Sequence, residues 1–144
     1  MKTFRSLFRF AAMLLLCAAS LAACDDSDGD PKFGDSITLE ITVDEVTDSS
    51  IRATVIPSRA DAGYYAKLYP LHEIAGNSDN TLLAVCLSDR QFTSYLHQGK
   101  QTLAFENLRP GIEYVLVAFG YENEQSTGVT SKLIRETVAL PAEQ

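Results

Sequence analysis

The sequence predicts a mainly β protein, an antiparallel β-sandwich with a short helical insertion, and three observations support this fold class. Segments near both ends of the domain alternate apolar and polar residues, which is the period of a half-buried strand. Prolines and short polar turns separate these segments at close intervals. In the middle of the domain, the apolar residues change to helical spacing.

Three alternating segments predict three strands in the first half of the domain. They are residues 36–43, 51–55 and 64–69. A turn at Asp48-Ser49-Ser50 separates the first two strands. Pro57 cannot donate to a sheet ladder, so the second strand either ends there or lies at a sheet edge. Pro70 stops the third strand.

The segment after Pro70 predicts short helices. A helical turn over 71–74 is closed by Gly76, and Asn77 or Ser78 is expected to cap a short helix. That helix carries the apolar residues Leu82, Leu83, Val85, Cys86 and Leu87. Cys86 is the only cysteine of the domain, so it forms no disulfide within the domain and is expected to be a small buried hydrophobe.

A further short helix is predicted after Ser88 or Asp89, either of which is a suitable cap. Phe92, Tyr95 and Leu96 have the i, i+3, i+4 spacing of one helical face. Gly99 is the expected stop.

Strand character returns in the second half of the domain. The predicted strands are residues 101–105, 115–121 and 132–138. The segment 115–121 is apolar on both faces, as a central strand covered on both sides would be. A polar hairpin loop follows it over 122–128. Six strands with a helical connection between the third and the fourth indicate a β-sandwich.

The pattern Leu108-x-Pro110-x-x-x-Tyr114 resembles the corner between strands E and F of fibronectin type III domains. The resemblance implies that the Tyr114 hydroxyl bonds back to upstream backbone and that the following apolar segment is strand F. It implies an immunoglobulin-like or fibronectin type III-like sandwich over 35–141, with the helical insertion between strands C and E. The sequence departs from that family in having no tryptophan, and the family's strand B tryptophan would fall near Val55.

The first 23 residues predict a secretory signal. Lys2, Arg5 and Arg9 form a basic region, and 10–21 is apolar but shorter than the roughly 20 residues that a membrane-spanning helix needs. The signal ends in Leu21-Ala22-Ala23-Cys24, which resembles the lipobox of bacterial lipoproteins. The resemblance implies cleavage before Cys24 and lipid on its sulfur; two or three acyl chains make a stable membrane anchor. The alternative is an ordinary signal peptide with cysteines at these positions by chance.

Residues 24–34 predict an extended acidic tether between the lipid and the domain. Four of the six residues from Asp25 to Asp30 are aspartate. This run resembles the acidic stretch after the lipidated cysteine of surface-exposed lipoproteins of the Bacteroidota, where it directs export to the outer face. A calcium loop of EF-hand type counted from Asp26 is the alternative, but Pro31 and Ile37 occupy the positions that require glycine and glutamate.

The charge balance argues against a nucleic-acid partner. The chain has 12 basic and 19 acidic residues. Without the three basic residues of the signal, the remainder has a net charge of −10, which opposes electrostatic binding of phosphate backbones. The expected membrane contact is through lipid on Cys24.

The residue pattern favours a protein that is not an enzyme. His72 and His97 both lie in the helical segment, and no Gly-x-Ser-x-Gly motif accompanies them. We expect no metal, because no pair of His or Cys residues has the short spacing of a zinc site. We also expect no bound cofactor, since glycines are scattered at turns rather than grouped in a phosphate-binding loop.

Aromatic residues are the remaining candidates for ligand binding. Tyr64 and Tyr65 are neighbours on a strand, so one is expected to face the core and the other solvent. Tyr69 shares a face with Tyr65, and Phe119 shares one with Tyr121. Tyr64 and Tyr121 are the predicted ligand-binding pair, because exposed rings with hydroxyls stack on sugars. The alternative is that most of these rings are packing residues covered by the helical insertion.

The sequence thus predicts a lipid-anchored outer-membrane lipoprotein at the cell surface. Its domain is expected to bind a glycan or a protein partner without catalysis. The alternative function is that of a structural or accessory scaffold subunit in an outer-membrane complex. An exposed apolar patch on the insertion would favour a protein partner, and a groove floored by tyrosines would favour a sugar.

Overall fold

A computed structural model describes residues 36–122 and 128–143. The predicted signal peptide, Cys24 and the acidic tether lie outside the described residues. Within the described residues, seven strands form two antiparallel sheets. The strands are β1 (Leu39–Val46), β2 (Ile51–Pro57), β3 (Gly63–Pro70), β4 (Leu96–Gln98), β5 (Gln101–Phe105), β6 (Glu113–Gly120) and β7 (Ile134–Ala139).

The two sheets confirm the predicted mainly β sandwich. One sheet has the strand order β1-β2-β5 and the other has the order β4-β3-β6-β7. β6 pairs with β3 and with β7, and every residue from Tyr114 to Gly120 is buried. The prediction that this apolar segment is a central strand is therefore confirmed.

The second strand ends at Pro57 but is not an edge strand. β2 lies between β1 and β5 in the three-stranded sheet. Pro57 is its last residue and pairs opposite Leu39, the first residue of β1. The Ser58 amide, one residue on, donates to the Thr38 carbonyl at 2.9 Å, so the pairing with β1 does not need an amide from Pro57.

The helical insertion follows β3 and differs in part from the prediction. It contains α1 (Leu71–Ile74), α2 (Asp79–Ser88) and a 3₁₀ turn (Phe92–Tyr95). Of the two predicted caps, Asn77 and Ser78, the structure has Ser78, whose hydroxyl oxygen accepts the backbone N–H of Thr81 at 3.2 Å.

The predicted helix ending at Gly99 is wrong beyond Tyr95. Leu96, His97 and Gln98 form β4, which pairs antiparallel with the start of β3. Gly99 has a φ of 67° and donates its N–H to the carbonyl of Ala62 at 3.0 Å, which turns the chain out of the sheet. Hydrogen bonds with β3 stabilise this three-residue strand. The helix prediction was wrong because the local sequence pattern contains no information about a pairing with a distant segment.

The bond expected for Tyr114 is present. Its hydroxyl oxygen accepts the backbone N–H of Arg109 at 3.0 Å, and the side chain is 6 % exposed. This contact joins the start of β6 to the loop that leads into it from β5. Within the described residues, no helix is both long and apolar enough to cross a bilayer.

Two apolar layers cover the two faces of the four-stranded sheet. The inner layer lies between the sheets and contains Ala53, Val55, Tyr64, Ala66, Leu116 and Ala118. The outer layer lies beneath the helical insertion and contains Tyr65, Tyr69, Ile74, Leu82, Cys86, Val115, Val117 and Phe119. Because β3 and β6 contribute alternate residues to both layers, both of their faces are removed from water.

Candidate functional site

The α2 helix lies across the outer face of the four-stranded sheet and is held at both ends. At its start, the Arg135 guanidinium on β7 donates to the Asp79 carboxylate at 2.8 Å and to the Asn77 carbonyl at 2.9 Å. Just after its end, the Lys67 ammonium on β3 donates to the Asp89 carboxylate at 2.7 Å. Since β6 lies between β3 and β7, α2 passes over the most buried strand.

The side of α2 that faces the sheet is fully buried. Leu82 and Cys86, four residues apart, are both 0 % exposed and share one helical face. The Cys86 sulfur lies 3.5 Å from the Tyr69 hydroxyl, which also forms a 2.9 Å hydrogen bond with the Tyr65 hydroxyl. The prediction that Cys86 is a buried hydrophobe is confirmed. Burial raises the pKa of Tyr65, and it raises the pKa of Tyr69 to about 12.

Five aromatic rings pack against one another beside α2. Tyr65 stacks on Phe119 with a ring-centroid distance of 4.8 Å and on Phe92 with a distance of 5.2 Å. Tyr95 meets Tyr65 edge-on at 5.9 Å, and Tyr121 meets Phe92 edge-on at 4.8 Å. Tyr65 and Phe119 are fully buried, and the other three rings are partly buried. Their faces and edges are largely occupied by one another, so the cluster resembles a second core more than an open stacking platform.

The structure does not bring the predicted pair Tyr64 and Tyr121 together. Tyr64 is 0 % exposed and belongs to the inner layer, whereas Tyr121 packs against the outer layer. The expectation that Tyr64 presents a ring to solvent is wrong, because its side of β3 is the sandwich interior. The expectation that one of Tyr64 and Tyr65 faces solvent is also wrong, since the helical insertion covers Tyr65. These rings are packing residues, as the alternative interpretation proposed.

Two contacts hold Tyr121 in place next to the predicted hairpin loop. One is the edge-on contact with Phe92. The other is with Gly128, where a Cβ atom would overlap the tyrosine ring. Gly128 has a φ of 72°, so both the backbone conformation and the ring above it require glycine.

Lys67 is a charged group in contact with the aromatic cluster. Its ammonium lies 4.4 Å from the centre of the Tyr95 ring and 4.9 Å from that of Tyr69. Burial by itself lowers the pKa of Lys67, but the hydrogen bond to Asp89 and the nearby tyrosines outweigh it, so the pKa is raised. The same hydrogen bond lowers the pKa of Asp89. The pair is therefore ionised over a wide pH range and fixes the end of α2 to β3.

The two histidines have different environments. His72 is exposed on α1. His97 is partly buried on β4, where its ring centroid lies 5.7 Å from that of Tyr64. Burial lowers the pKa of His97. In the described part of the chain, no group of three or more His, Cys, Asp or Glu side chains is arranged to hold a metal ion.

The solvent side of α2 is the feature that the sequence prediction missed. After Asp79, no exposed residue of α2 is charged. These exposed residues are Asn80, Thr81, Ala84, Val85, Leu87 and Ser88. Val85 is 47 % exposed and Leu87 is 40 % exposed. Within the described residues, Val46 at 37 % is the other exposed large hydrophobic residue. The signal in the sequence was the uninterrupted apolar run Leu82–Leu87, because a short surface helix can bury only one stripe of it.

The apolar residues of α2 surround the helix rather than forming a flat patch. Val85 and Leu87 are two residues apart, which at about 3.6 residues per turn places them on nearly opposite flanks. The small residues Ala84 and Ser88 lie between them, farthest from the sheet. We call these four residues the α2 face.

Comparison with protein-family models and with curated proteins finds no match to this sequence. The function must therefore be inferred from the site itself.

Proposed function

We propose that this protein is a cell-envelope lipoprotein, anchored in the outer membrane by lipid on Cys24 and displayed at the cell surface, whose domain binds a protein partner without catalysing a reaction. The α2 face is the observation that carries the choice of partner. An uncharged, partly apolar surface is unusual on a chain with 19 acidic residues. Depletion of charge is typical of the centre of protein–protein interfaces.

The arrangement of the α2 face favours a grooved partner. Val85 and Leu87 project from opposite flanks, and the small side chains of Ala84 and Ser88 between them allow another surface to approach closely. A partner that contacts both flanks must surround the helix, as grooves that bind an amphipathic helix do. The ion pairs of Asp79 with Arg135 and of Asp89 with Lys67 hold α2 in place before binding. This lowers the entropic cost of association.

A glycan partner has less support from the same geometry. The predicted stacking pair is divided between two layers, and the partly exposed rings of Phe92, Tyr95 and Tyr121 are in contact with neighbouring rings. A scaffold subunit in an envelope complex, the alternative function, would also need a protein contact. It differs from a binding module only in the permanence of that contact.

We also propose that the domain is fibronectin type III-like. Lettered in chain order, with β4 as C′, the sheets are A-B-E and C′-C-F-G. Variable-type immunoglobulin domains likewise place a C′ strand on the sheet that contains C, F and G. The hydrogen bond between Arg109 and Tyr114 supports the same assignment, because it lies at the corner between strands E and F.

Photo-crosslinking on intact cells tests the α2 face. A crosslinking amino acid at position 85 or 87 is expected to give one discrete adduct with an envelope protein. The matched control is position 46, which has a similar exposure at the end of β1 in the three-stranded sheet and is expected to give none. Adducts that are equal at positions 46 and 85, or absent from both α2 positions, would contradict the proposal.

Substitution provides a second test of the same face. Val85→Lys and Leu87→Lys are each expected to weaken capture of the crosslinked partner roughly tenfold or more, because a charge must be desolvated at the contact. Val46→Lys should leave capture unchanged. A glycan array run with wild-type protein and Tyr121→Ala distinguishes the sugar hypothesis: specific glycan binding that Tyr121→Ala abolishes would replace the protein partner.

The anchor and its direction need separate experiments. Cys24→Ser is expected to abolish lipid labelling and release the protein from the membrane. Protease added to intact cells is expected to remove the domain. Continued membrane retention of Cys24→Ser would overturn the anchor, and protection from protease would overturn surface display.

A further inference from the structure

The two sheets leave four edge strands, and three of them have features that hinder pairing with another chain. β4 has three residues and β5 has five. β1 has a register shift between Val43 and Glu45, and its exposed side carries Glu40 and Glu45. Short length, bulges and charges are the usual means by which proteins protect sheet edges.

β7 is longer than β4 and β5 and has no bulge. It has six residues, pairs in unbroken register with β6 from Glu113–Ala139 to Ala118–Ile134, and contains no proline. Its other side is the edge of the four-stranded sheet. A regular edge of this length is the kind of strand to which a second copy of the chain adds.

Glu136 occupies an unusual position on this edge strand. Ile134, Glu136 and Val138 share the face of β7 that points towards the sandwich interior, where Ile134 and Val138 join the apolar clusters. Glu136 lies opposite Leu116 of β6, which is 1 % exposed, and is itself only partly exposed. Its carboxylate makes no ion pair with any described residue.

The cation next to Glu136 on the strand faces the other way. Arg135 projects to the outer face of the sheet, where its guanidinium is bound by Asp79 and Asn77. It therefore forms no ion pair with Glu136, whose side chain lies on the opposite face of β7.

We propose that Glu136 keeps the β7 edge from pairing with the β7 strand of a second copy of this chain. Antiparallel pairing of two β7 strands about a twofold axis near their centre would bring the two Glu136 carboxylates close together and cover both from water. Repulsion between like charges and the loss of hydration both oppose that pairing. An inward-pointing charge on an edge strand has this protective effect in β-sheet proteins.

The test measures molar mass by light scattering after size exclusion, using the mature chain from residue 24 with Cys24→Ser. This protein is expected to be monomeric. Adding Glu136→Val is expected to produce a concentration-dependent dimer with twice the molar mass. Glu136→Thr, which keeps a polar side chain, is expected to do the same more weakly. Glu136→Lys should remain monomeric because the inward charge is kept.

A matched control separates position from net charge. Glu113→Val removes one negative charge from the same sheet, but from exposed Glu113 on a central strand, and should leave the protein monomeric. In the Glu136→Val dimer, amide hydrogen exchange is expected to slow along β7 and not at β5 or α2. Adding Val85→Lys should not dissociate this dimer, which makes the inference independent of the α2 face.

Three results would overturn the inference. The first is that Glu136→Val and Glu136→Thr both stay monomeric at every concentration. The second is a dimer of Glu113→Val. The third is association of the protein with Glu136 intact, with slowed exchange along β7.

Discussion

Replacing Tyr64 with phenylalanine is expected to stabilise the protein, although Tyr64 is one of its most buried residues. The Tyr64 side chain is 0 % exposed, and its hydroxyl oxygen has no hydrogen-bond partner among the described residues. Tyr69 on the same strand provides the opposite case. Its hydroxyl bonds to the Tyr65 hydroxyl at 2.9 Å and lies 3.5 Å from the Cys86 sulfur.

The sizes of the two effects follow from hydrogen-bond accounting. A buried hydroxyl without a partner costs about 1–3 kcal/mol, so Tyr64→Phe should raise the free energy of unfolding by about 1 kcal/mol after the loss of some packing. Tyr69→Phe removes the partner of the buried Tyr65 hydroxyl, so it should lower the free energy of unfolding by about 2 kcal/mol. The two variants should thus differ by about 3 kcal/mol.

Urea unfolding of both variants and of the parent protein, followed by circular dichroism, measures these differences. Equal slopes of the three unfolding curves are the control that the denatured states are comparable. The Tm of Tyr64→Phe should be higher by about 4 °C for a domain of this size. A Tyr64→Phe protein that loses more than about 1 kcal/mol would refute the reasoning, since it would mean that the hydroxyl has a stabilising partner.

The burial of Tyr64 also predicts how the stability of the protein changes at alkaline pH. Burial raises the pKa of Tyr64 to about 12, from a usual value of 10.0. Below pH 10 the Tyr64 hydroxyl is neutral in both the folded and the unfolded chain, so its ionisation does not reduce the free energy of unfolding. Between pH 10 and 12 the unfolded chain ionises first, and the stability falls. Tyr64→Phe should make this fall shallower, although Tyr69, whose pKa is also raised to about 12, still contributes.

Three further predictions concern other parts of the fold. Burial lowers the pKa of His97 from 6.5, so the protein should lose stability as the pH falls below that value, and urea titrations at several pH values should show a smaller loss for His97→Phe. Gly128→Ala should cost at least about 1 kcal/mol in thermal unfolding, because of the positive φ and the Tyr121 ring; an unchanged Tm would contradict that geometry. Tyr114→Phe should cost about 1 kcal/mol through loss of the bond from the Arg109 amide, and a variant as stable as the parent in urea would show that the bond is not needed.

Features with a strong local signal were predictable from the sequence. Alternation over 36–43 and 51–55 correctly predicted strands, and the two-sided apolar run of 115–121 correctly predicted the central strand β6. The cap at Ser78 was one of two that the local sequence allowed, and the hydroxyl bond of Tyr114 was implied by the resemblance of its surrounding pattern to the fibronectin type III corner. The short strand β4 was not predictable, since three residues have no pattern of their own and gain their hydrogen bonds from β3.

The candidate site shows the same limit more clearly. Period-two alternation determined by itself that Tyr64 and Tyr65 lie on opposite faces of one strand, and the lone Cys86 suited a buried position. Alternation does not determine what covers each face, and only the tertiary structure placed a sheet over Tyr64 and a helical insertion over Tyr65. The exposure of Val85 and Leu87 and the inward direction of Glu136 were decided in the same way. Burial depends on contacts between segments far apart in the chain, whereas a sequence pattern reports only the local geometry of each segment.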